Sequence, residues 1–384
     1  MERKIKKNSI GMFDIHKGIV MILIVCIHSI YIAEKCTPGF QYPLFVRGLM
    51  KTSSCGLALL FLISGYSFRP SPWKKSFFQQ ARNLLKPYAY SGAAAVCLLC
   101  IKNIVSGHPV FSTDIFSTAA GFLLAASSNM TVGGIQISSI QVLWYLIAMF
   151  NSWLLLELFM KLGGGGKTAA AVLLCCAAGM ALGWTDIRFP FCIPQSMCCT
   201  AFLYCGWLLK KHKLLFKDYS VKIYGVCLAV YCIGTLVGDA KFYENIWKLW
   251  ILELAIVLAG SFLAIEAGFF LFDCSSAFWS PFLTIGRYSL WVMCLHAIDM
   301  LVFQWEWVFR LPLPGIYAKY ALLLVLRGLF IFLGCIVLKN WNMRWKGKKD
   351  EKKNSFETAC CIPVGAGNDS GIVRVRLRGK GNHR

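Results

Sequence analysis

Long apolar runs alternate with short polar connections along most of the chain, and this pattern predicts a bundle of membrane-spanning helices. A helix needs about twenty apolar residues to cross a bilayer, and runs of roughly that length recur from residue 11 to residue 339. We therefore predict an all-α, polytopic integral membrane protein with about ten transmembrane helices. They cover approximately residues 11–33, 44–68, 87–105, 141–160, 168–184, 196–209, 221–238, 247–272, 281–303 and 317–339.

Composition supports this class and excludes a water-soluble enzyme. Hydrophobic residues occupy 57% of the 384 positions and charged residues only 15%, and the mean hydropathy of +0.60 lies outside the soluble range. The formal net charge of +22 would indicate nucleic-acid binding if it formed one patch. Because Lys and Arg instead lie between apolar runs and in a polar C-terminal segment, we expect no nucleic-acid partner. The 18 cysteines lack the repeated spacing of a zinc site, so no metal site is predicted.

The basic connections predict the orientation, since Lys and Arg are retained on the cytoplasmic side. Basic residues lie in the N-terminal segment, in the second, fourth and sixth connections, and in the C-terminal segment. With ten spans all of these fall inside, so both termini are predicted to be cytoplasmic. Arg47 and Lys51, near the outer end of the second span, are interpreted as interfacial or facing a cavity. Residues 1–345 form the predicted transmembrane domain, and residues 346–384 a basic, disordered cytoplasmic tail.

The first apolar run, FDIHKGIVMILIVCIHSIYI, carries polar side chains that lipid would exclude. A helix turns about 100° and rises about 1.5 Å per residue, so Lys17 and His28 lie within roughly 20° of one face and about 16 Å apart along the axis. Asp14 joins that face, whereas His16 lies about 120° from His28 and points elsewhere. The helix is thus predicted to carry a polar line from the cytoplasmic boundary toward mid-membrane.

This polar line is a candidate catalytic face. Ionisable residues within membrane spans usually face a bundle interior or a wet cavity and mark function. Histidine suits general-base catalysis because its unperturbed pKa is about 6.5. Under this hypothesis His28 is the base, and Asp14 and Lys17 organise the inner end of the path. The alternative is structural, an interhelical hydrogen bond from His28.

The connection after the second span is a candidate donor-binding segment. The helix is predicted to end near Ser64-Gly65-Tyr66, where small residues permit close packing, and to release a loop with five basic residues. They are Arg69, Lys74, Lys75, Arg82 and Lys86. Such a cluster can bind the phosphates of a nucleotide-containing donor through charge-assisted hydrogen bonds. Positive-inside topology with anionic lipid binding explains the same charges equally well.

Five further residues are candidates, and two of them, Trp144 and His296, have two interpretations each. Trp144 is either an interfacial belt aromatic or a platform on which a sugar stacks. His296 either lines the acceptor side of the cavity or makes an interhelical hydrogen bond. Glu157, Glu253 and Glu266 lie in or near apolar spans, and each is a candidate partner of His28.

Several short motifs occur together in a fixed order. They are Asp14, Lys17, His28, Ser64-Gly65-Tyr66, Arg82 with Lys86-Pro87-Tyr88, Leu143-Trp144-Tyr145-Leu146, and Ile285-Gly286-Arg287-Tyr288-Ser289-Leu290 with His296. From about residue 10 to residue 340 the chain resembles acyltransferase family three, bacterial integral-membrane O-acyltransferases that include sugar O-acetylases acting on surface polysaccharides. The resemblance implies that a basic residue followed, after ten positions, by a histidine marks the active face, which Lys17 and His28 match.

The resemblance also implies the substrates and the location. Acyl-CoA, most simply acetyl-CoA, enters from the cytoplasm as a donor substrate, and the basic second connection helps to hold it. A glycan or another hydroxyl acceptor arrives from the other side of a bacterial inner membrane, where Trp144 and His296 are the candidate contacts. No tightly bound cofactor is expected.

The sequence therefore predicts a membrane O-acyltransferase in which His28 is the general base. Direct transfer and a covalent acyl relay both fit this hypothesis. The alternative hypothesis is a transporter or exporter, in which the same histidine and aspartate contact a polar substrate or relay protons.

Overall fold

The structure, a computed structural model, describes residues 9–39, 43–163, 165–185, 187–272 and 276–359, and within these ranges it is mainly helical. The α-helices are α1 (Ser9–Cys36), α2 (Leu44–Ser67), α3 (Trp73–Gln80), α4 (Lys86–Val105), α5 (Thr113–Leu124), α6 (Trp144–Met160), α7 (Gly165–Leu182), α8 (Ile193–Lys211), α9 (Val221–Val237), α10 (Ile251–Leu271), α11 (Ser280–Arg287), α12 (Ser289–Val302) and α13 (Gly315–Ala359). The predicted all-α class is confirmed.

The strands are short and lie in the connections. An antiparallel hairpin joins β1 (Met130–Val132) to β2 (Ile135–Ile137), and a second joins β3 (Ala240–Lys241) to β4 (Ile246–Trp247). Short 3-10 helices cover Gln141–Leu143, Pro190–Cys192, Leu214–Phe216 and Trp305–Arg310. The hairpins are therefore features of the loops at the helix ends.

Within the described residues, eight helical segments are long and apolar enough to cross a membrane, which confirms a multi-pass membrane protein. Helices α11 and α12 qualify together as one broken span. Helix α9 is apolar, but its 17 residues extend only about 25 Å, which is less than the thickness of a typical hydrocarbon core. The predicted count of ten is reached only when the broken pair and α9 are added to the eight.

The predicted ninth span, residues 281–303, is wrong as a single helix because it bends by 76° between α11 and α12. Helix α11 lies against α1 with almost no space between the two backbones. A Cβ atom added to Gly286 would lie 1.6 Å from the carbonyl oxygen of Asp14, and one added to Gly18 would lie 2.0 Å from that of Phe282. The two glycines allow this contact, and Tyr288, with φ −101° and ψ 12°, ends α11.

The prediction of a loop from Arg69 to Lys86 is wrong for most of that segment. Helix α3 begins directly after Pro72 and continues through a π-helical turn at residues 81–85 into α4. Ser76 and Gln80, one turn apart, are buried, so one face of α3 packs against the protein. The sequence analysis considered only the basic residues of this segment and did not predict that face. The π turn lies just before Pro87, which has no N–H to donate to the preceding turn.

Helix α2 packs closely on α8 through a reciprocal pair of glycines. A Cβ on Gly65 would lie 2.0 Å from the carbonyl oxygen of Leu203, and a Cβ on Gly206 would lie 2.1 Å from that of Leu62. The prediction that small residues near Gly65 permit close packing is thereby confirmed. This contact sets the position of the segment that follows α2.

Lys51, one of the two basic residues near the outer end of the second span, contacts the C-terminal end of α9. Its Nζ atom donates to the carbonyl oxygens of Thr235 (2.7 Å) and Leu236 (3.4 Å) in the last turn of α9. A cation at a helix C-terminus satisfies carbonyls that have no partner within the helix and complements the helix dipole. Lys51 also lines a small cavity, as one of its two interpretations expected.

The chain divides into two units, and the second begins at Ile336. Helix α13 begins in the first unit at Gly315 and continues through Ala359. The first part of the segment predicted to be a disordered tail, residues 346–359, is thus helical. Residues 360–384 of that predicted tail lie outside the described residues.

We expect the substitution Gly286→Ala to destabilise the protein by about 1–3 kcal/mol, because the new methyl group overlaps the backbone of α1. The matched control is Gly225→Ala in α9, where an added Cβ meets no atom within 4 Å and alanine favours the helix. Thermal melting of both purified variants, followed by tryptophan fluorescence, measures the effect. Equal melting temperatures would contradict the close α1–α11 contact.

Candidate active site

Two cavities are lined by six of the candidate site residues from the sequence analysis: Asp14, Lys17, His28, Arg69, Lys75 and Trp144. The first, here called the Lys17 cavity, measures about 1070 Å³. The charged residues in its lining are Asp14, Lys17, Arg69, Lys75 and Lys210. The second, here called the His28 cavity, measures about 530 Å³, and its lining includes His28, Tyr31, Trp144, Arg188 and Tyr243. The structure thus separates the two ends of the predicted polar line on α1 into different cavities.

The Lys17 cavity is strongly cationic. Its charged lining residues comprise four cations and one carboxylate. That carboxylate, Asp14, lies 2.6 Å from Lys17 Nζ through Oδ1, and its Oδ2 lies 3.8 Å from Arg287 Nε. Asp14 therefore holds Lys17 in place and leaves the other cations available for an anionic ligand.

The five predicted donor-binding residues divide into two groups. Arg69 and Lys75 line the Lys17 cavity. Lys74, Arg82 and Lys86 do not line it and are exposed, and Lys86 Nζ lies 5.5 Å from the centre of the Tyr90 ring. Because α3 is a helix, neighbouring basic residues point in different directions, and only some of them face the cavity.

Lys210 joins the cavity from a distant part of the sequence. It lies in the last turn of α8, and sequence analysis used the basic residues there only as an indicator of orientation. The contact between α8 and α2 brings it to the cavity. Because Lys210, Lys211 and Lys213 lie close together at the end of α8, the sequence could not show which of them faces a cavity.

The segment that carries Arg69 is anchored by a buried carboxylate on α6. The Ser71 N–H donates to Glu157 Oε1 (2.6 Å), and the Ser76 hydroxyl donates to Glu157 Oε2 (3.4 Å). Trp153, one turn earlier on α6, packs on Phe68 with ring centroids 4.8 Å apart. These contacts fix the wall of the Lys17 cavity between α2 and α3.

The His28 cavity is lined mainly by aromatic rings and uncharged polar groups. Its polar lining includes the hydroxyls of Ser53, Ser127, Ser128 and Ser139 and the amides of Asn129 and Gln141. Partial burial, followed by the neighbouring Glu244 carboxylate, raises the pKa of Tyr243, so this phenol remains a neutral hydrogen-bond donor. Trp144 is only 5% exposed, which does not fit a belt position facing lipid.

Tyr145 and Met293 line both cavities. Tyr145 follows Trp144 at the start of α6 and packs on Phe61, with ring centroids 4.8 Å apart. Met293 lies on α12, near the helix start whose first residues, Ser289 and Leu290, face the Lys17 cavity. The bend between α11 and α12 thereby brings the start of α12 to the point where the two cavities adjoin.

His28 lies beside a buried polar cluster rather than beside a glutamate. The ring centroids of His28 and His296 are 5.4 Å apart. His296, which does not line either cavity, has its Nδ1 3.2 Å from the Arg327 guanidinium on α13. The interhelical hydrogen bond, one of the two interpretations of His296, is confirmed. Arg327 in turn binds Asp299.

Arg327 was missed by the sequence analysis, although it carries a signal. It is a lone arginine inside an apolar run that was predicted to span the membrane, and its exposure is 0%. Ionisable residues in such positions are functional candidates by default. The same rule that selected His28 would have selected Arg327.

The three glutamates considered as partners of His28 have other contacts. Glu157 binds the segment after α2, as described above. Glu253 Oε1 accepts from the N–H groups of Asp239 (2.8 Å) and Leu249 (3.2 Å), and Glu266 Oε2 accepts from the Tyr224 hydroxyl (2.8 Å). Their described hydrogen bonds hold connections and helices together.

His16 points away from the polar line, as predicted. Its Nε2 lies 2.9 Å from the carbonyl oxygen of Ala264 on α10, and its Nδ1 lies 2.9 Å from that of Met12. A neutral imidazole has one N–H and donates to only one of these carbonyls at a time. His16 thus links α1 to α10. Among the described residues no group of three or more His, Cys, Asp or Glu is arranged to hold a metal ion.

A comparison with protein families gives one match that covers most of the chain. The family model described as an acyltransferase domain matches residues 11–345, which include both cavities and the buried cluster. Neither the comparison with curated proteins nor that with solved structures gives a match.

We expect Glu157→Ala to loosen the segment between α2 and α3. The substitution removes the acceptor of the Ser71 N–H, which costs about 1 kcal/mol or more, so hydrogen exchange at residues 69–76 should accelerate by about fivefold or more. Mass spectrometry of the exchanging protein measures it. The matched control is Glu253→Ala, which should affect residues 238–250 instead; unchanged exchange at residues 69–76 in Glu157→Ala would contradict the anchoring role.

Proposed function

Because the chain belongs to acyltransferase family three and is an acyltransferase, we propose that it moves an acyl group, most simply acetyl, from cytoplasmic acyl-CoA to a hydroxyl of a surface or envelope glycan. This proposal rests on one observation, that the two cavities have Tyr145 and Met293 as common lining residues. A donor in one cavity and an acceptor in the other would meet at these two side chains without either crossing the whole membrane.

The Lys17 cavity is the proposed donor site. Its cations suit the phosphates of coenzyme A, which bind arginine and lysine through charge-assisted hydrogen bonds. Arg69, Lys75 and Lys210 are the proposed contacts, and Asp14 positions Lys17. The offset of about 16 Å from Lys17 to His28 along α1 is comparable with the length of the pantetheine arm, which would carry the thioester toward the junction.

The His28 cavity is the proposed acceptor site. Aromatic rings such as Trp144 and Tyr243 suit the apolar faces of a sugar ring, and the surrounding hydroxyls and amides suit its hydroxyl groups. This arrangement supports a polyhydroxylated acceptor. The proposed orientation places the Lys17 cavity on the cytoplasmic side and the His28 cavity on the outer side of a bacterial inner membrane, with both termini in the cytoplasm.

In the proposed reaction His28 is the general base. It takes the proton of the acceptor hydroxyl as the hydroxyl oxygen attacks the thioester carbonyl carbon. The carbon–sulfur bond then breaks, and the proton passes to the leaving thiolate of coenzyme A. An acyl group carried first by a protein side chain would give the same products and is a separate outcome of the test.

We expect His28→Ala to lower the rate of acyl transfer by about 10²- to 10⁴-fold, because the general base is lost. Purified protein, radiolabelled acetyl-CoA and envelope glycans provide the assay. His16→Gln, which changes the histidine that faces α10, is the matched control and should retain transfer. Retained transfer in His28→Ala would disprove the base, whereas glycan flux without any acyl transfer by the wild type would support a transporter instead.

We expect Arg69→Ala, Lys75→Ala and Lys210→Ala each to raise the KM for acetyl-CoA by about three- to tenfold, a range that allows for solvent screening of these partly exposed charges. The change in kcat should be small, since these residues bind the nucleotide end of the donor. Lys74→Ala is the matched control, because Lys74 does not line the cavity. An equal rise in KM for Lys74→Ala would indicate diffuse attraction rather than a donor site.

A further inference from the structure

Arg327 connects three helices at the level of His28. It lies in the middle of the apolar part of α13, and its guanidinium contacts α12 through Asp299 and His296 and α1 through Ser29. Ser29 is the residue next to His28. A fully buried cation is costly unless it is paired and hydrogen-bonded, so these contacts are needed to keep Arg327 in its place.

The hydrogen bonds around Arg327 form a consistent set of donors and acceptors. Asp299 Oδ2 accepts from Arg327 Nε (2.7 Å) and lies 2.6 Å from the guanidinium Nη2, and Asp299 Oδ1 accepts from Trp305 Nε1 (2.7 Å). Ser29 Oγ accepts from Arg327 Nη1 (2.7 Å) and donates to the carbonyl oxygen of Val25 (2.8 Å). Each of the three guanidinium nitrogens of Arg327 therefore has a partner within the protein.

The same network determines the tautomer of His296. Arg327 Nη2 lies 3.2 Å from His296 Nδ1, and a guanidinium only donates hydrogen bonds. Nδ1 must therefore be the acceptor, and the ring hydrogen must lie on Nε2. The contact of Nδ1 with Asp299 Oδ2 is longer, 3.5 Å, and that oxygen already receives hydrogen bonds from the guanidinium.

His296 Nε2 is buried and has no hydrogen-bond partner among the described residues. Leaving a buried donor unsatisfied costs about 1–3 kcal/mol, and such groups occur where a catalytic role or a bound species provides the missing partner. Met293 and Met300, three residues before and four residues after His296, line the His28 cavity. Residues with this spacing share a helix face, so His296 lies on the face of α12 from which two flexible methionine side chains reach the cavity lining.

We propose that the Nε2–H of His296 donates a hydrogen bond to the acyl oxygen during transfer beside His28, and that Arg327 and Asp299 are positioning residues that hold His296 in this tautomer. This inference rests on the proposed function. As the acceptor oxygen bonds to the carbonyl carbon, His28 takes the hydroxyl proton and the carbonyl oxygen becomes negatively charged. His296 stabilises that charge until the carbon–sulfur bond breaks, the carbonyl re-forms and the thiolate takes the proton from His28.

Kinetics of His296 variants provide the first test, with radiolabelled acetyl-CoA and the envelope glycan that the wild type acetylates. His296→Leu should lower kcat by about 10²- to 10³-fold with little change in either KM, because the lost interaction forms only in the transition state. His296→Gln should recover part of kcat, since its amide has an N–H. His16→Gln, at the histidine that links α1 to α10 and lines neither cavity, is the matched control and should keep kcat close to the wild-type value.

The tautomer itself provides the second test, on the full-length protein in lipid vesicles. Nuclear magnetic resonance of protein with ¹⁵N-labelled histidine rings, with the signal assigned by its loss in His296→Gln, should show hydrogen on Nε2 and none on Nδ1. Hydrogen on Nδ1, or on both nitrogens, would overturn the inference whatever the activity of the variants. Wild-type kcat in His296→Leu would overturn it while the proposed function stands, and absence of acyl transfer by the wild type would overturn the proposed function.

Discussion

A charged side chain at the centre of a membrane costs about 2.5–3.5 kcal/mol even on the mildest scales, and the need to give such side chains partners organises the bundle around α1. The helix carries Asp14 and Lys17 on its polar line and Ser29 on a neighbouring face, and each has a defined partner. Asp14 pairs with Lys17, and Ser29 binds Arg327. The cost of these side chains is thus offset by contacts that also determine how the neighbouring helices pack.

The two histidines of α1 illustrate how the same side chain serves different purposes. His16 is bound between two carbonyl oxygens and links α1 to α10. A Cβ on Gly268 would lie 2.2 Å from the His16 ring, so α10 approaches it closely and leaves no room for a ligand. His28 faces a cavity and has a second imidazole beside it. Access to a cavity, rather than the type of side chain, distinguishes a structural histidine from a candidate catalytic one.

Close helix contacts shape the cavities as much as the polar residues do. The contact between Gly18 and Gly286 holds α11 on α1, and the bend that follows turns α12 so that Met293 reaches both cavities. On the other side, the glycines of α2 and α8 bring Lys210 to the Lys17 cavity. Small residues at these few positions thus allow two large cavities to adjoin within a densely packed bundle.

The membrane class, most of the helices, the polar face of α1 and the family could be predicted before the fold was known, because they depend on local periodicity and on motifs along the chain. The 3.6-residue repeat places Lys17 and His28 on one face and turns His16 away, whatever surrounds the helix. Which residue faces His28, that Lys210 and not Lys74 lines the Lys17 cavity, and where α11 ends were established by the folded structure. These features depend on contacts between residues far apart in the chain, such as Ser29 with Arg327 and Asp14 with Gly286. A periodic pattern predicts the direction of a side chain on its own helix, but it does not predict which helix lies opposite that side chain.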